Sequence, residues 1–137
     1  MATLATGVAK SARRIVVSGD SMRPTLDPGD RLLVRRTRRP RPGDVVAAVD
    51  PRQPTRILLK RVLTITDDGL VLIGDNPDAS TDSRHFGPVP WSSVLGVAMY
   101  RYAPAARSSR VVRRPVPSTE WPTTASTRCL PPAISRD

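Results

Sequence analysis

Cysteine, lysine, histidine, glutamate and aromatic residues are all scarce in this chain, and each scarcity removes a class of explanation. Cys129 is the single cysteine among 137 residues. It cannot form an intrachain disulfide, so nothing requires an oxidising compartment. His85 is the single histidine, and together with Cys129 it makes no ligand set for a metal. There is no glycine-rich phosphate loop, and no cofactor is expected. No apolar run approaches the ~20 residues needed to span a bilayer. The opening ten residues are too short and too mixed for a signal-peptide core, and Arg13 and Arg14 follow them rather than precede them. The expectation is a cytoplasmic protein with no transmembrane segment, able to touch a membrane only peripherally.

Aromatic residues make up 4% of the chain against a net charge of +10. A basic surface attracts nucleic acid and anionic membranes. Without aromatic interleaving or a recognisable module, no specific nucleic-acid partner is expected. Lysine is rarer than the charge suggests: of 22 basic residues only Lys10 and Lys60 are Lys, and Glu120 is the one Glu. Such a bias looks like a GC-rich coding background, which discounts the arginine excess as a functional signal.

What is present is a series of short apolar runs separated by turn residues. Runs at 15–17, 31–36, 44–49, 56–66, 70–73 and 94–102 are bounded by Gly, Pro and Asp. Strand-length segments with β-branched content and such punctuation predict a mainly β domain. The spacing predicts a hairpin between 57–65 and 70–73 across Asp67-Asp68-Gly69. The domain expected from these runs spans 15–104, after a weakly ordered arm at 1–14. Residues 105–137, with six Arg, recurring Pro and no apolar period, read as a disordered basic tail. Trp121 and Cys129 fall in that tail as exposed residues.

Three segments carry candidate chemistry. In Ser18-Gly19-Asp20-Ser21-Met22-Arg23-Pro24, a serine sits between a short β run and a stiff turn. A nucleophile needs its hydroxyl at a rigid bend, with backbone N–H groups aimed at the forming oxyanion. A serine that merely stabilises a turn fits this segment equally well. In Ile57-Leu58-Leu59-Lys60-Arg61-Val62-Leu63, strand alternation puts Lys60 on a face with Leu58 and Val62. Both faces are largely apolar. A lysine buried there loses hydration, its pKa falls, and its neutral form can take a proton. A lysine whose head reaches solvent is the alternative. The rest of the chain uses Arg, which cannot act as a base at ordinary pH; this choice of Lys balances the two readings. The third segment, 74–89, is dense in small polar residues and could supply a hydroxyl to orient a lysine and an Asp/Arg pair to brace it. It fits a plain polar loop as well. A Ser-His-Asp triad would have to use His85, and no strand-to-helix nucleophile elbow surrounds Ser21.

In order and spacing, Ser21-Met22-Arg23-Pro24-Thr25-Leu26, Gly43-Asp44-Val45-Val46, Lys60-Arg61-Val62, and Gly74-Asp75-Asn76 followed by Ser80-Thr81-Asp82-Ser83-Arg84 and Gly87-Pro88-Val89 resemble the signal peptidase I family. The resemblance covers about residues 15–100. It implies a compact signal-peptidase-like catalytic β core and a serine endopeptidase with a Ser/Lys dyad. On that resemblance Ser21 matches the nucleophile, Lys60 the general base and Ser80 the hydroxyl that orients the lysine. Met22, Asp82 and Arg84 match supporting positions, and the Ser21 backbone N–H matches part of the oxyanion hole. Gly19 stands where many bacterial members carry a second oxyanion hydroxyl.

The short form, with Asp82-Ser83-Arg84-His85-Phe86-Gly87-Pro88-Val89, is most similar to the small soluble nickel-type superoxide dismutase maturation proteases. That similarity implies a precursor protein as partner, bound as an extended peptide and relieved of an N-terminal leader or propeptide. Residues 18–22 are also similar to LexA-like self-cleaving repressors, which carry a DNA-binding domain ahead of the peptidase; 14 residues leave no room for one. The alternatives are signal-peptidase-type processing of exported precursors at a membrane surface, a degenerate peptidase fold kept for binding, and a non-catalytic basic nucleic-acid-binding module.

Overall fold

Six apolar runs become six strands of one antiparallel sheet. The computed structural model describes residues 12–36, 39–114 and 116. The strands are β1 (Ala12–Val16), β2 (Arg31–Arg35), β3 (Val45–Asp50), β4 (Gln53–Thr66), β5 (Gly69–Ile73) and β6 (Val94–Ala103), with a short β7 (Ser109–Arg110). The order across the sheet is β1-β2-β6-β3-β4-β5, and β7 pairs with β6. One short helix, α1 (Ser83–Phe86), and three 3₁₀ turns complete the described elements. The mainly β class and the hairpin between β4 and β5 are as the punctuation predicts.

β3 lies between β6 and β4, so both of its edges are paired. Its VVAAV run does not alternate with polar residues, as expected of a strand covered on both faces. Val45 and Ala47 enter one apolar cluster, with Met22, Leu26, Leu32 and Val34. Val46 and Ala48 enter the other, with Val62, Leu70, Leu72, Val89 and Val97. Register shifts interrupt four of the strand pairings. Irregularities of this kind bend strands and increase their twist, which lets one sheet wrap two cores.

The segment between β1 and β2 is pinned at both ends. Val17 N–H donates to Asp30 O, and Gly29 N–H returns to Val17 O, both at 2.8 Å. Between these points Leu26 N–H donates to Met22 O at 2.9 Å, and both side chains plug the first core. The turn that begins at Ser21 is therefore anchored from beneath.

Two boundaries differ from the sequence expectation. β1 begins at Ala12, so 12–14 are strand rather than arm. Residues 105–114 pack on the body instead of leaving it at 104. β7 pairs with β6, Val111 N–H donates to Met99 O at 3.0 Å, and Arg114 N–H donates to Gly43 O at 2.9 Å. Charge holds this segment where apolar side chains are few: Arg107 pairs with Asp27 and Asp30, Arg113 with Asp44, and Arg114 with Asp75. Residues 1–11, most of the expected tail, Trp121 and Cys129 lie outside the described residues.

Arg61 is the largest fully buried side chain. Its guanidinium makes two bonds to the Asp75 carboxylate, at 2.9 and 2.8 Å, and one to Gly43 O at 2.8 Å. Burial raises the Asp75 pKa, but the bonds from Arg61 and Thr25 outweigh it and hold the carboxyl below its ordinary value. Removing one partner of a buried pair strands the other charge and costs roughly 3–5 kcal/mol. Arg61→Met should therefore unfold at markedly lower denaturant than wild type, and Arg61→Met with Asp75→Ala should recover part of that loss in equilibrium urea unfolding.

Candidate active site

Lys60 follows from the register of β4. It pairs with Val46 of β3 and shares a face with Leu58 and Val62, which are both buried. The side chain is 4% exposed, so the amine is withdrawn from water and does not snorkel. Burial pulls its pKa down to about 8. The Asp82 carboxylate opposes that shift, and Arg56 and Arg52 add to it.

Lys60 Nζ donates to Ser80 Oγ at 3.1 Å, and Ser80 Oγ donates to Asp82 Oδ2 at 2.7 Å. Asp82 has no exposed surface. It also accepts from Gly74 N–H at 2.8 Å, from Arg84 N–H at 3.1 Å, and from the Arg84 guanidinium at 3.0 and 2.8 Å. Burial pushes the Asp82 carboxyl up, and these bonds more than offset it, holding it below the usual carboxylate range. Asp82 is at once the N-cap of α1 and the anchor for Ser80. It keeps the Ser80 proton turned away from the lysine, so Ser80 presents a lone pair to the Lys60 amine.

Ser21 is half-buried where the turn begins. Asn76 N–H donates to Ser21 O at 2.8 Å, and Asn76 Nδ2 donates to Asp20 O at 3.1 Å. Thr25 Oγ1 donates to Asp75 Oδ2 at 2.6 Å. Residues 74–76 thus hold the Ser21 turn. Gly74 has to be glycine here: a Cβ would collide with the Ser80 side chain and come within 2.8 Å of Ser21 O.

Ser21 and Lys60 line one cleft of about 400 Å³. Residues 14–18, Ser21 and Met22 form one wall, and residues 56–60 form the other. Among the described residues β1 pairs only with β2, and β5 joins β4 only from Arg61 onward. The cleft is accordingly flanked by two strand edges with free backbone groups. A second cavity, about 290 Å³ between Thr25, Leu26, Arg61 and residues 109–114, includes neither Ser21 nor Lys60.

The residues singled out from sequence meet here. Ser21, Met22 and Lys60 come together at the cleft, with Met22 buried beneath it. Ser80, Asp82 and Arg84 run on from the lysine head. His85 does not join them: its ring is more than half exposed, it does not line the cleft, and its Nδ1 accepts from Asp82 N–H at 3.3 Å. Gly19, at φ 79°, has open space where a side chain would stand, while Ser18 lines the cleft. Sequence reasoning assigned no role to Asp75, Asn76, Thr25, Arg14 or Arg56. Asn76 was visible inside the Gly-Asp-Asn motif, but its contact with the Ser21 turn spans 55 positions and has no local signal.

Comparison with known proteins finds relatives named as proteases. Mitochondrial ATP-independent inner membrane protease subunit 1a of Arabidopsis thaliana is 40% identical over an alignment covering 64% of this chain and 68% of that protein. Mitochondrial inner membrane protease subunit 1 of Xenopus tropicalis is 32% identical, covering 66% and 68%, and its Homo sapiens counterpart is 28% identical, covering 66% and 69%. The Peptidase S24-like family model matches residues 5–92, which include Ser21, Lys60, Ser80, Asp82 and Arg84. The chain is a signal-peptidase-I-like domain and belongs to the Peptidase S24-like family.

Proposed function

We propose that the chain is a serine endopeptidase in which Ser21 is the nucleophile and Lys60 the general base. One observation carries this: Lys60, the one lysine among the described residues, is buried in the β core and opens onto the cleft that holds Ser21, with its pKa lowered to about 8. Neutral Lys60 takes the Ser21 proton as Oγ attacks the substrate carbonyl. The resulting lysinium protonates the leaving amine, the C–N bond breaks, and an acyl ester on Ser21 remains. Water then gives a proton to Lys60 and its oxygen to the ester carbonyl; the acid product leaves, and the proton returns to Ser21. Ser80 holds the amine, and Asp82 with Arg84 holds Ser80. The Ser21 N–H contributes to the oxyanion hole. The substrate lies extended in the cleft and adds to the free strand edges.

The reaction fits removal of an N-terminal leader or propeptide from a precursor protein in the cytoplasm. The resemblance to nickel-type superoxide dismutase maturation proteases makes a nickel superoxide dismutase precursor the first substrate to test. The relatives named as inner membrane proteases favour a second reading, in which the precursor is cut at a membrane face. No helix among the described residues is long and apolar enough to cross a membrane. Co-expression with the dismutase precursor, wild type against Ser21→Ala, separates the two when the product N-terminus is read by mass spectrometry. A trimmed product only with wild type supports the first reading; an untrimmed precursor removes it.

Ser21→Ala and Lys60→Ala should each lower kcat at least about a thousandfold while melting like wild type. Lys60→Arg should be as inactive, because it supplies no base; near-normal cleavage by Lys60→Arg would exclude the dyad. Ser80→Ala should lower kcat about ten- to a hundredfold with little change in KM.

The active lysine is the neutral one, so deprotonation switches activity on. kcat/KM should rise with pH through about 8 and level off above it. A profile that vanished in His85→Ala would point to a histidine base instead.

A further inference from the structure

The cleft changes character along its length. Moving away from Lys60 on its face of β4, the side chains are Leu58 and then Arg56, since alternate strand residues share a face. On β1, Ile15 and Val17 turn into the core, which leaves Val16 and then Arg14 on the other side. Both walls therefore pass from the Ser21/Lys60 end, through an apolar step, to a cation. Arg56 lies four residues from Lys60, or ~13 Å at ~3.3 Å per residue. No Asp or Glu lines the cleft.

Neither arginine is well neutralised. Asp50 is the acid nearest Arg56, at 4.0 Å, and its carboxylate is already taken by the Arg52 side chain at 3.1 and 2.9 Å. Arg14 makes no ion pair or hydrogen bond with its side chain among the described residues. Elsewhere in the fold buried acids are matched with arginine, as in Arg61 with Asp75, Arg101 with Asp30 and Arg113 with Asp44. Other surface arginines among the described residues also lack a close acid; what distinguishes Arg14 and Arg56 is that they line opposite walls of the cleft that holds Ser21 and Lys60, with no carboxylate in its lining.

We infer that this end of the cleft selects extended peptides that carry an acidic side chain about four residues from the scissile bond, held by Arg14 and Arg56. Val16 and Ile57, 57% and 42% exposed, flank the intervening positions and give apolar side chains a place to pack. The inference rests on the proposed peptidase reading. An anionic lipid surface is less suited to the site, because the two cations line the inside of a cleft rather than spread over one outward face.

The test is digestion of a proteome-derived peptide library by the full chain, with new termini read by mass spectrometry. Wild type should enrich Asp and Glu over Lys and Arg about tenfold at low salt, about four residues from the cut. Arg14→Glu with Arg56→Glu should invert that preference, and Arg14→Lys with Arg56→Lys should retain it. Because each ratio is taken within one digest, altered Lys60 basicity in the variants cancels. Equal frequencies, or an acidic preference unchanged by the double charge reversal, would overturn the inference. So would absent peptide preference together with charge-dependent flotation on phosphatidylglycerol vesicles, which would assign the cations to a membrane.

If wild type cuts nothing in the library, the peptidase reading fails by itself. The cleft is then decided by fluorescence anisotropy of labelled Asp-containing and Lys-containing decapeptides on Ser21→Ala: tighter binding of the Asp peptide upholds the inference, and equal binding removes it.

Discussion

Burying the Lys60 amine strips it of water, and the fold compensates with one hydrogen bond, to Ser80 Oγ at 3.1 Å, and with the charge of the Asp82 carboxylate behind it. Much of the site is organised by that exchange. Ser80 can serve as acceptor because its own proton goes to Asp82. Asp82 can be fully buried as an anion because Gly74 N–H, Arg84 N–H and the Arg84 guanidinium converge on it. The sum of these contacts is too little to keep the lysine fully basic and enough to fix where its nitrogen sits. A base in a serine hydrolase needs both properties.

Lys60 and Arg61 are adjacent and point to opposite faces of β4. One reaches Ser80, and the other reaches Asp75. Both partners belong to the connection that follows β5. That connection also grips the Ser21 turn through Asn76 and Thr25. A one-residue slip of β4 would exchange the two cations and break both sets of bonds at once. The register of one long strand thus sets the position of Lys60, of the Arg61 brace beside it and, through residues 74–76, of the turn that carries Ser21. The absence of a side chain at Gly74 is what allows the Ser80 and Ser21 segments to meet so closely.

The strands were legible because apolar runs separated by Gly, Pro and Asp report backbone periodicity directly. Lys60 was legible for a different reason: a lysine within an apolar run of an arginine-using chain is a local anomaly. What could not be read is held by pairing across long sequence distances. Residues 105–114 look like tail because they are poor in apolar mass, yet Arg107, Arg113 and Arg114 find Asp27, Asp30, Asp44 and Asp75, some of them buried, on the body. The roles of Asn76 and Thr25 depend on two loops meeting, and no spacing rule encodes that. Arg14 and Arg56 were hidden in the general arginine excess and stand out only once the fold places them on the two walls of the cleft.

Titration of the lysine ε-amine tests the central claim most directly. The chain has two lysines, Lys10 and Lys60, so ¹³Cε-lysine labelling gives two resonances, and Lys10→Arg assigns them. The account predicts that the Lys60 signal titrates with a midpoint of about 8. A Lys60 midpoint in the ordinary lysine range, about 10.4, would mean that it is solvated and charged in the working pH range, and the Ser21/Lys60 chemistry would be contradicted.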